Sequence, residues 1–356
     1  MGIFLGVDLQ TRNQSICWID TAQGEIHEAR LDHQRDDIRG FYEGLPAPAV
    51  IGVESTGYAL WFHKLVEELG HTLLVGDALA IRQLARRRQK NDRRDASLVL
   101  DLLIRGDFPA VHVPSAASRQ VITLLRYRRR LVRIRTTLKN GLQAVALNHQ
   151  LRLGARLFSA QGKLQLSSLP LTGASAIERE HSLQLIMVLD QRLGKVDQEL
   201  EACAQKDARV QRLRTHPGVG VQTALAVVHF LEPVSRFRRA RQLSSYSGLD
   251  PVEHSSGDHQ RYGHISKQGN RLLRFLLIEA AHQLVRRGQD PDLRRFYYRL
   301  WARKNSSVAI VAVARKLLLR LYRMLCEQID YEEFRRRGRD AGSARSVPSP
   351  AFAVTD

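Results

Sequence analysis

The chain has 356 residues, 44% of them hydrophobic, which allows two or three domains with a sizeable core and excludes a disordered or fibrous protein. Lys and Arg number 55 against 36 Asp and Glu, a net charge of +19 that favours a polyanionic partner such as nucleic acid. The three cysteines, Cys17, Cys203 and Cys326, are widely separated, which excludes a disulfide framework or zinc ribbon and suits a reducing cytoplasm.

Strand and helix signals alternate over residues 1–110. Apolar or alternating runs bounded by turn residues predict strands at 3–8, 15–20, 25–31, 49–54 and 72–75. A helix is predicted over 60–69, and a basic helical segment follows through Arg88. Three hairpin-linked strands followed by alternating helices and strands predict a mixed α/β sheet domain over 1–110.

Heptad spacing marks the region 111–208. Hydrophobic residues recur every seven positions at Leu124, Leu131, Leu138 and Val145. A second run steps by three and four through Ile186, Leu189, Leu193, Val196, Leu200 and Cys203. Both patterns predict a helical, coiled-coil-like region, with an antiparallel helical pair and a dimer seam as open alternatives. Residues 150–180 show no clear pattern and are interpreted as an insertion.

The remainder divides into a compact C-terminal domain, 209–334, which is predicted to be mostly α, and a basic tail. The tail, 335–356, begins RRRGR and continues in Ala, Gly, Ser and Pro, a composition that predicts disorder. The apolar segment 308–326 contains four basic residues, which excludes a membrane span. No signal peptide pattern opens the sequence, and we expect a cytoplasmic protein without a membrane partner.

Four acidic residues form the strongest pattern of the sequence. Asp8 and Glu54 each end a predicted apolar strand, and Asp92 and Asp95 lie three apart at the start of a predicted helix. A single Asp in such a place is ordinarily a turn or cap residue. Together they predict a site for Mg²⁺, which prefers hard oxygen ligands and for which Mn²⁺ can substitute, clamping a scissile phosphate.

These residues carry a family resemblance. GVD at Asp8, GVEST at Glu54 and KxDxxDA at Asp92 and Asp95 resemble the RuvC-like domain of the DEDD transposases of bacterial insertion sequences. The resemblance implies a ribonuclease-H-like fold and a Mg²⁺ site made by the four carboxylates. Asn91 stands where the family more often has Thr or Ser, a departure that leaves the ligands intact.

Basic residues flank the acidic ones and cover the helix that follows. A solvated helix face usually mixes positive and negative residues, so an all-basic helix beside a group of acids is better explained by a phosphate backbone that lies across the helix and the acids. The nucleic-acid-binding residues that we predict here are Arg86, Arg87, Arg88, Lys90, Arg126, Arg128, Arg129, Arg130, Arg133, Arg135 and Lys139. The resemblance implies that this helical region binds a guide RNA from the element's own non-coding end.

Two motifs lie in the C-terminal region. HPGVG, containing Gly218 and Gly220, is typical of a helix-hairpin-helix turn, in which backbone amides approach a phosphate, and equally of a plain tight turn. Residues 243–277 resemble the C-terminal domain of the same transposases, with the pattern YxGL-P, then SG, then G-ISK-GN-LR. The resemblance implies a serine nucleophile at Ser256, with Ser255 as its rival. We expect Lys267, Arg271 and Arg274 to bind phosphates or stabilise the pentacovalent charge.

Three histidines surround this serine position. His254, His259 and His264 could each shuttle a proton, and the sequence does not choose among them. We therefore predict an RNA-guided transposase or site-specific recombinase that acts on donor and target DNA as a dimer or tetramer. The alternatives are a RuvC-like junction-resolving endonuclease in which water attacks, and a non-catalytic nucleic-acid-binding protein.

Overall fold

The computed structural model describes residues 2–46, 48–57, 59–84, 92–253 and 262–338. The chain forms two compact units, Met1–Val113 and Pro114–Asp356. The first unit is a mixed α/β structure and the second is mostly helical, as the sequence predicts.

The first unit contains a six-stranded sheet with the strand order β3-β2-β1-β4-β5-β6. Strands β1, β2 and β3 form an antiparallel meander. On the other side of β1, β4 pairs with β1 and β5 pairs with β4 in parallel, and β6 pairs with β5 in antiparallel. The bounds are β1 Ile3–Leu9, β2 Asn13–Asp20, β3 Ile26–Asp32, β4 Val50–Glu54, β5 Thr72–Gly76 and β6 Ala110–Val111. The five strands predicted from the sequence are thus confirmed to within one or two residues.

Helices cover both faces of this sheet. The bounds are α1 Ile38–Glu43, α2 Leu60–Glu68, α3 Ala78–Leu84 and α4 Asp92–Arg105. Because strand residues alternate in direction, Leu5 and Val7 of β1 pack on one face, in a core that Tyr42 and Phe62 of α1 and α2 share. Gly6 faces the opposite side, where α4 lies against β1. The sheet is therefore buried on both faces in its centre.

The second unit is built from ten helices in the part of the chain that the structure describes, together with one hairpin. The hairpin strands are β7 Pro251–Glu253 and β8 Tyr262–Ile265. The helices are α5 Ala116–Asn148, α6 Ala160–Ser168, α7 Gly173–Lys206, α8 Ala208–Arg214, α9 Val221–Leu231, α10 Ala240–Ser247, α11 Arg271–Arg287, α12 Pro291–Arg303, α13 Ser306–Cys326 and α14 Tyr331–Arg336.

The two heptad patterns belong to α5 and α7, which pack against each other within the chain. Residues 125 and 131 of α5 share a core with residues 193–200 of α7, whereas Leu142 of α5 shares one with Ile186. The pairing therefore runs antiparallel, which selects the helical pair from the two alternatives for this seam.

The core of the second unit includes residues on both sides of the predicted boundary at 208–209. Leu200 of α7, Leu225 of α9, Leu277 of α11 and Leu317 of α13 all belong to it. Helix α14 continues through Arg336, two residues into the predicted tail, and its last turn is held by ion pairs to Glu333. None of the helices in the described ranges is both long and apolar enough to cross a membrane.

Candidate functional site

Strand pairing brings Asp8 and Glu54 side by side. Strands β1 and β4 are parallel, with Gly6 opposite Gly52 and Val7 opposite Val53, so the next residue in each strand is a carboxylate. Both side chains are half-buried at the carboxyl ends of adjacent strands. Parallel register, rather than any local signal, therefore places these two acids together.

Two glycines allow α4 to lie against this part of the sheet. A Cβ atom on Gly6 would lie 2.1 Å from the backbone oxygen of Ala96, and one on Gly52 would lie 2.8 Å from Cδ1 of Leu103. Gly6 and Asp8 share one face of β1 because strand side chains alternate. Asp95 directly precedes Ala96, so this close contact brings the backbone of Asp95 to the strand that carries Asp8.

The remaining predicted residues of this region are placed unevenly. Asp95 is half-buried on α4, and Asp92 begins that helix, although the side chain of Asp92 is outside the described part of the structure. Arg86, Arg87, Arg88 and Lys90 also lie outside the described residues. Within the described ranges, which do not include the Asp92 side chain, no three metal-ligating side chains form a cluster.

The carboxylates that are described fit a divalent cation by their chemistry. Asp8 accepts a hydrogen bond of 3.2 Å from the neutral amide of Gln10, and Glu54 lies 3.5 Å from Arg82, whose side chain is 70% exposed. Neither of these two contacts is an ion pair with a buried basic side chain. Hard, partly solvated oxygens of this kind are the ligands that Mg²⁺ and similar ions prefer.

The long basic helix α5 meets acids that its own sequence does not contain. Arg128 donates two hydrogen bonds to Asp197 of α7, and Arg135 donates one to Asp190. Arg129 lies 3.4 Å from the ring centroid of Phe275. Three of its other cations are exposed and stand at helical spacing on one face: Arg126, Arg130 and Arg133.

Some of the residues predicted to bind phosphates make contacts within the protein. Lys139 lies 4.8 Å from the ring centroid of Phe158, and burial lowers its pKa. Arg128 and Arg135 hold α7, as described above. Arg126, Arg130 and Arg133 form an outward stripe of exposed cations, whereas the other predicted cations of α5 are half-buried.

The HPGVG motif forms a tight turn before α9. Gly218 has φ +79°, and a Cβ there would lie 3.0 Å from Cβ of Leu284 in α11, so both its conformation and its close contact favour glycine. Gly220 directly precedes α9 and no side chain caps that helix. Both glycines line a cavity of about 510 Å³ together with Arg129 and Glu279.

A hydrogen-bonded base holds the β7–β8 hairpin. Asp250 accepts from the hydroxyl of Ser266 at 2.7 Å and from that of Ser245 at 3.1 Å. Its carbonyl also accepts from the amide of Ser266 at 2.8 Å. Arg274 donates to the carbonyls of Ser247 and Gln268, so this predicted phosphate ligand also supports the base of the hairpin.

The serine segment lies between these two strands. Ser255, Ser256, His254 and His259 fall outside the described residues. Lys267, Arg271 and His264, which follow it in the sequence, are exposed, and Lys267 has φ +54°. A cavity of about 680 Å³ runs along β7 and is lined by Arg241 and Arg315, two cations outside the predicted phosphate-binding set.

A buried polar network at the start of the HPGVG turn has no counterpart in the predictions from the sequence. Asp290 accepts from Arg320 at 2.5 Å and from the hydroxyl of Tyr331 at 2.7 Å, and both members of the ion pair are at most 4% exposed. The ring of His216 packs on Tyr331 with centroids 4.4 Å apart. Burial lowers the pKa of His216 to about 4, so this histidine is neutral at pH 7.

A second polar group, the buried Ser118 and His229 with the half-buried Glu232, joins the start of α5 to the end of α9. Ser118 donates to Glu232 at 2.5 Å and lies 2.9 Å from Nδ1 of His229. Because the serine hydroxyl donates its one hydrogen to the carboxylate, a hydrogen bond with His229 requires the tautomer in which Nδ1–H donates to the serine oxygen. Ser118 is 1% exposed, so this order of groups braces two helices and does not activate a nucleophile. No local sequence pattern predicts this group or the network around Asp290, because each joins polar residues that are far apart in the chain.

Comparison with protein families gives two matches. Residues 5–149 match the DEDD transposase model of the IS110 type, and residues 210–298 match the model described as the transposase IS116/IS110/IS902 family. The first range contains the four carboxylates and α5, and the second contains the turn, the hairpin and the serine segment.

Two of the curated relatives are similar over nearly the whole chain, and a third over about a third of it. A "Probable family 20 transposase" of Pseudomonas aeruginosa is 29% identical over 334 residues, which cover 92% of this chain and 98% of the relative. The transposase for insertion sequence element IS1111A of Coxiella burnetii is 29% identical over 336 residues, or 92% and 90% of the two chains. The pilin gene-inverting protein of Moraxella lacunata is 30% identical over 127 residues, or 35% and 39%.

Proposed function

The chain belongs to the DEDD transposase family of insertion sequences, and from this premise we propose that it cuts and rejoins DNA through a serine nucleophile assisted by Mg²⁺. The enzyme class, a DNA transposase or recombinase, follows from the family. Both the transposases and the gene-inverting protein among its relatives are named for DNA rearrangement. The residues that perform the chemistry are the content of the proposal.

We propose that Asp8, Glu54, Asp92 and Asp95 hold the metal. The observation that carries this assignment is the β1–β4 register, which sets Asp8 beside Glu54, combined with the contact of Ala96 with Gly6. The family implies a divalent metal, and Mg²⁺, with Mn²⁺ as substitute, is the ion that this oxygen donor set favours. When bound, the ion would neutralise charge on the scissile phosphate.

The proposed nucleophile is Ser256, with Ser255 as its rival. Its oxygen forms a bond to phosphorus while the bond from phosphorus to one deoxyribose oxygen breaks. The serine proton passes to a base, for which His254, His259 and His264 are candidates, and the departing oxygen gains a proton. Because the phosphoserine ester conserves the bond energy, a DNA hydroxyl can reverse the step and rejoin strands.

Cations near the hairpin are proposed to assist this step. Lys267 and Arg271 are exposed next to β8, and Arg241 and Arg315 line the cavity beside β7. Fixed positive charges around a phosphodiester stabilise the added negative charge of its pentacovalent state. Asp250 supports the arrangement by tying Ser245 and Ser266 together at the hairpin base.

We further propose that the first unit has a ribonuclease-H or RuvC-like fold. The antiparallel meander continued by two parallel strands supports it. The proposed functional regions are the metal-binding domain 1–110, the helical region 111–208, the serine domain 209–334 and the basic tail. The exposed stripe of α5 and the turn at Gly218 and Gly220 are proposed to bind nucleic acid.

The guide and the assembly complete the proposal. A chain with net charge +19 has capacity for a guide RNA in addition to donor and target DNA. Joining two DNA sites requires at least two copies of the active site, which favours a dimer or tetramer. Two alternatives stay open: a junction-resolving endonuclease in which water attacks, and a non-catalytic nucleic-acid binder.

The test is a denaturing gel of the protein with labelled donor DNA, the element's non-coding RNA and Mg²⁺. We expect a band of protein joined to DNA that disappears in Ser256→Ala and in Asp8→Ala. Asp101→Asn is the matched control, because Asp101 is an exposed carboxylate of the same helix α4, paired with Arg105. Free nicked DNA that needs Asp8 but survives Ser256→Ala would favour the endonuclease.

The RNA requirement is read from the same gel. Omission of the non-coding RNA should abolish the covalent band, whereas cutting without RNA would remove RNA guidance from the proposal. Absence of metal-dependent breakage in every combination would favour the non-catalytic binder.

A further inference from the structure

Two large aromatic side chains are exposed on α12, outside every site described above. Tyr298 is 45% exposed and Trp301 is 52% exposed, and their ring centroids lie 6.1 Å apart at an interplanar angle of 79°. They stand three residues apart, so they are neighbours on one face of the helix. Adjacent exposed aromatic rings mark a binding surface more often than a bare solvent face.

The same helix is strongly basic. Asp292 is the single acid of α12, every residue of which is described. Arg294 lies 5.7 Å from the ring centroid of Tyr298, on the side of the helix that carries both rings. The exposed cations of this segment are Arg294, Arg295, Arg299, Arg303 and Lys304.

The inner face of α12 keeps this surface in place. Leu293 is fully buried, and Phe296 and Tyr297 pack against the core of the second unit. The side chain of Asp290, itself buried, caps the helix by accepting from the amide of Leu293 at 2.9 Å. The helix is thus anchored mainly by residues other than the exposed rings. Tyr298 also lies edge-on to Tyr297, with ring centroids 5.3 Å apart, so Trp301 is the ring whose replacement disturbs this anchoring least.

We propose that this face of α12 binds unpaired nucleotides of a nucleic acid strand. Tyr298 and Trp301 stack on bases, and the surrounding arginines contact the phosphates. Sequence-tolerant binding of single strands uses this combination, since every base has a π-face and every linkage a negative charge. Base pairs of an intact duplex keep their faces covered, so the surface selects single strands over duplexes.

A second copy of the chain is the competing occupant, because aromatic and arginine side chains are also common in protein interfaces. Charge argues against it. Two copies of this segment in contact would bring together two strongly basic helices, each with five exposed cations in the segment and one carboxylate. A polyanion neutralises the same charges and releases counterions.

The experiment measures the affinity for a labelled oligothymidylate by fluorescence anisotropy, in the absence of divalent metal. We expect Tyr298→Ala and Trp301→Ala each to raise the Kd about 5- to 150-fold, the range for loss of one stacked base. Trp301→Phe, which keeps a ring, should retain most of the affinity. Trp61→Ala, which removes a tryptophan that is 40% exposed in the first unit, is the matched control and should change nothing.

Further arms identify the occupant. RNA and DNA strands of one sequence compared side by side show which strand the surface prefers, and a loss with either supports the proposal. A duplex of the same sequence should bind the variants and the parent alike. Unchanged single-strand affinity, or an equal loss with the duplex, would overturn it. Loss of self-association in Trp301→Ala without loss of oligonucleotide binding would assign the face to a second copy.

No step of this test uses Ser256 or the carboxylates. Failure of the stacking surface would therefore leave the proposed cutting reaction intact, and failure of cutting would leave oligonucleotide binding measurable.

Discussion

Replacing Gly6 by alanine perturbs the proposed metal site without touching a carboxylate. The new Cβ atom would lie 2.1 Å from the backbone oxygen of Ala96 and 2.5 Å from the backbone nitrogen of Leu100. Ordinary contacts begin near 3.4 Å, so α4 must move away from β1 by about 1 Å. The helix that carries Asp95 would shift relative to Asp8.

Gly52 offers a matched substitution on the neighbouring strand. There a Cβ atom would meet the side-chain tips of Leu103 at 2.8 Å and Val99 at 2.9 Å, which can rotate or shift. Overpacking of side chains costs about 1–3 kcal/mol. Because Gly6 confronts rigid backbone, we expect Gly6→Ala to lower the free energy of unfolding by about 3 kcal/mol or more, and Gly52→Ala by less.

Urea unfolding measures these free energies. In a Trp301→Phe background the remaining tryptophans, Trp18 and Trp61, both report on the first unit. DNA cleavage at saturating Mg²⁺ provides the second readout, in which Gly6→Ala should lose more activity than Gly52→Ala at equal fraction folded. A Gly6→Ala protein as stable and active as the parent would refute the packing of α4 on β1.

Three further outcomes follow from the second unit. Arg320→Met leaves the buried carboxylate of Asp290 without its ion-pair partner and should lower the free energy of unfolding in urea by about 3–5 kcal/mol. Arg105→Met, which removes an exposed ion pair, should lower it by about 1 kcal/mol or less. Equal losses in the two variants would contradict this prediction. The pKa of His216 is about 4 when folded and near 6.5 unfolded, so the unfolded chain binds the proton first as pH falls. Through this group, stability should decrease by about 3 kcal/mol from pH 6.5 to pH 4. Because the pKa values of His229, Asp207 and Asp290 are lowered too, His216→Gln should weaken the pH dependence without abolishing it, and an unchanged dependence would refute the assignment. The exposed stripe of α5 consists of Arg126, Arg130 and Arg133. Replacing all three by glutamine should make the slope of log K against log salt for duplex DNA less negative by about 2 to 3, whereas Arg128→Gln should change the slope little.

Local patterns predicted the elements of the first unit well. Short apolar or alternating runs bounded by turn residues located β1 to β5 to within one or two residues, since a central strand buried on both faces leaves a continuous apolar run and a half-buried strand such as β3 leaves a period-two signal. The placement of Asp8 and Glu54 at strand ends was also legible. Their adjacency was not, because parallel register depends on contacts between residues far apart in the chain.

The second unit shows what single-sequence patterns lack. The heptad run of α7 was visible, but whether it packs on α5 or on another copy required the fold. The acids that neutralise Arg128 and Arg135 lie on α7, some sixty residues later, so α5 alone suggested a wholly open basic face. The network of His216, Asp290 and Arg320 joins three distant segments by single contacts that leave no periodic trace.

The covalent link between protein and DNA tests the central claim most directly. Donor DNA, the non-coding RNA and Mg²⁺ would be incubated with the protein, which is then digested with trypsin and analysed by mass spectrometry for a nucleotide-modified peptide. The account predicts a phosphodiester on Ser256, formed only when metal is present and absent in Asp8→Ala. DNA cut to completion with no nucleotide on Ser256 or Ser255 would contradict it and identify water as the nucleophile.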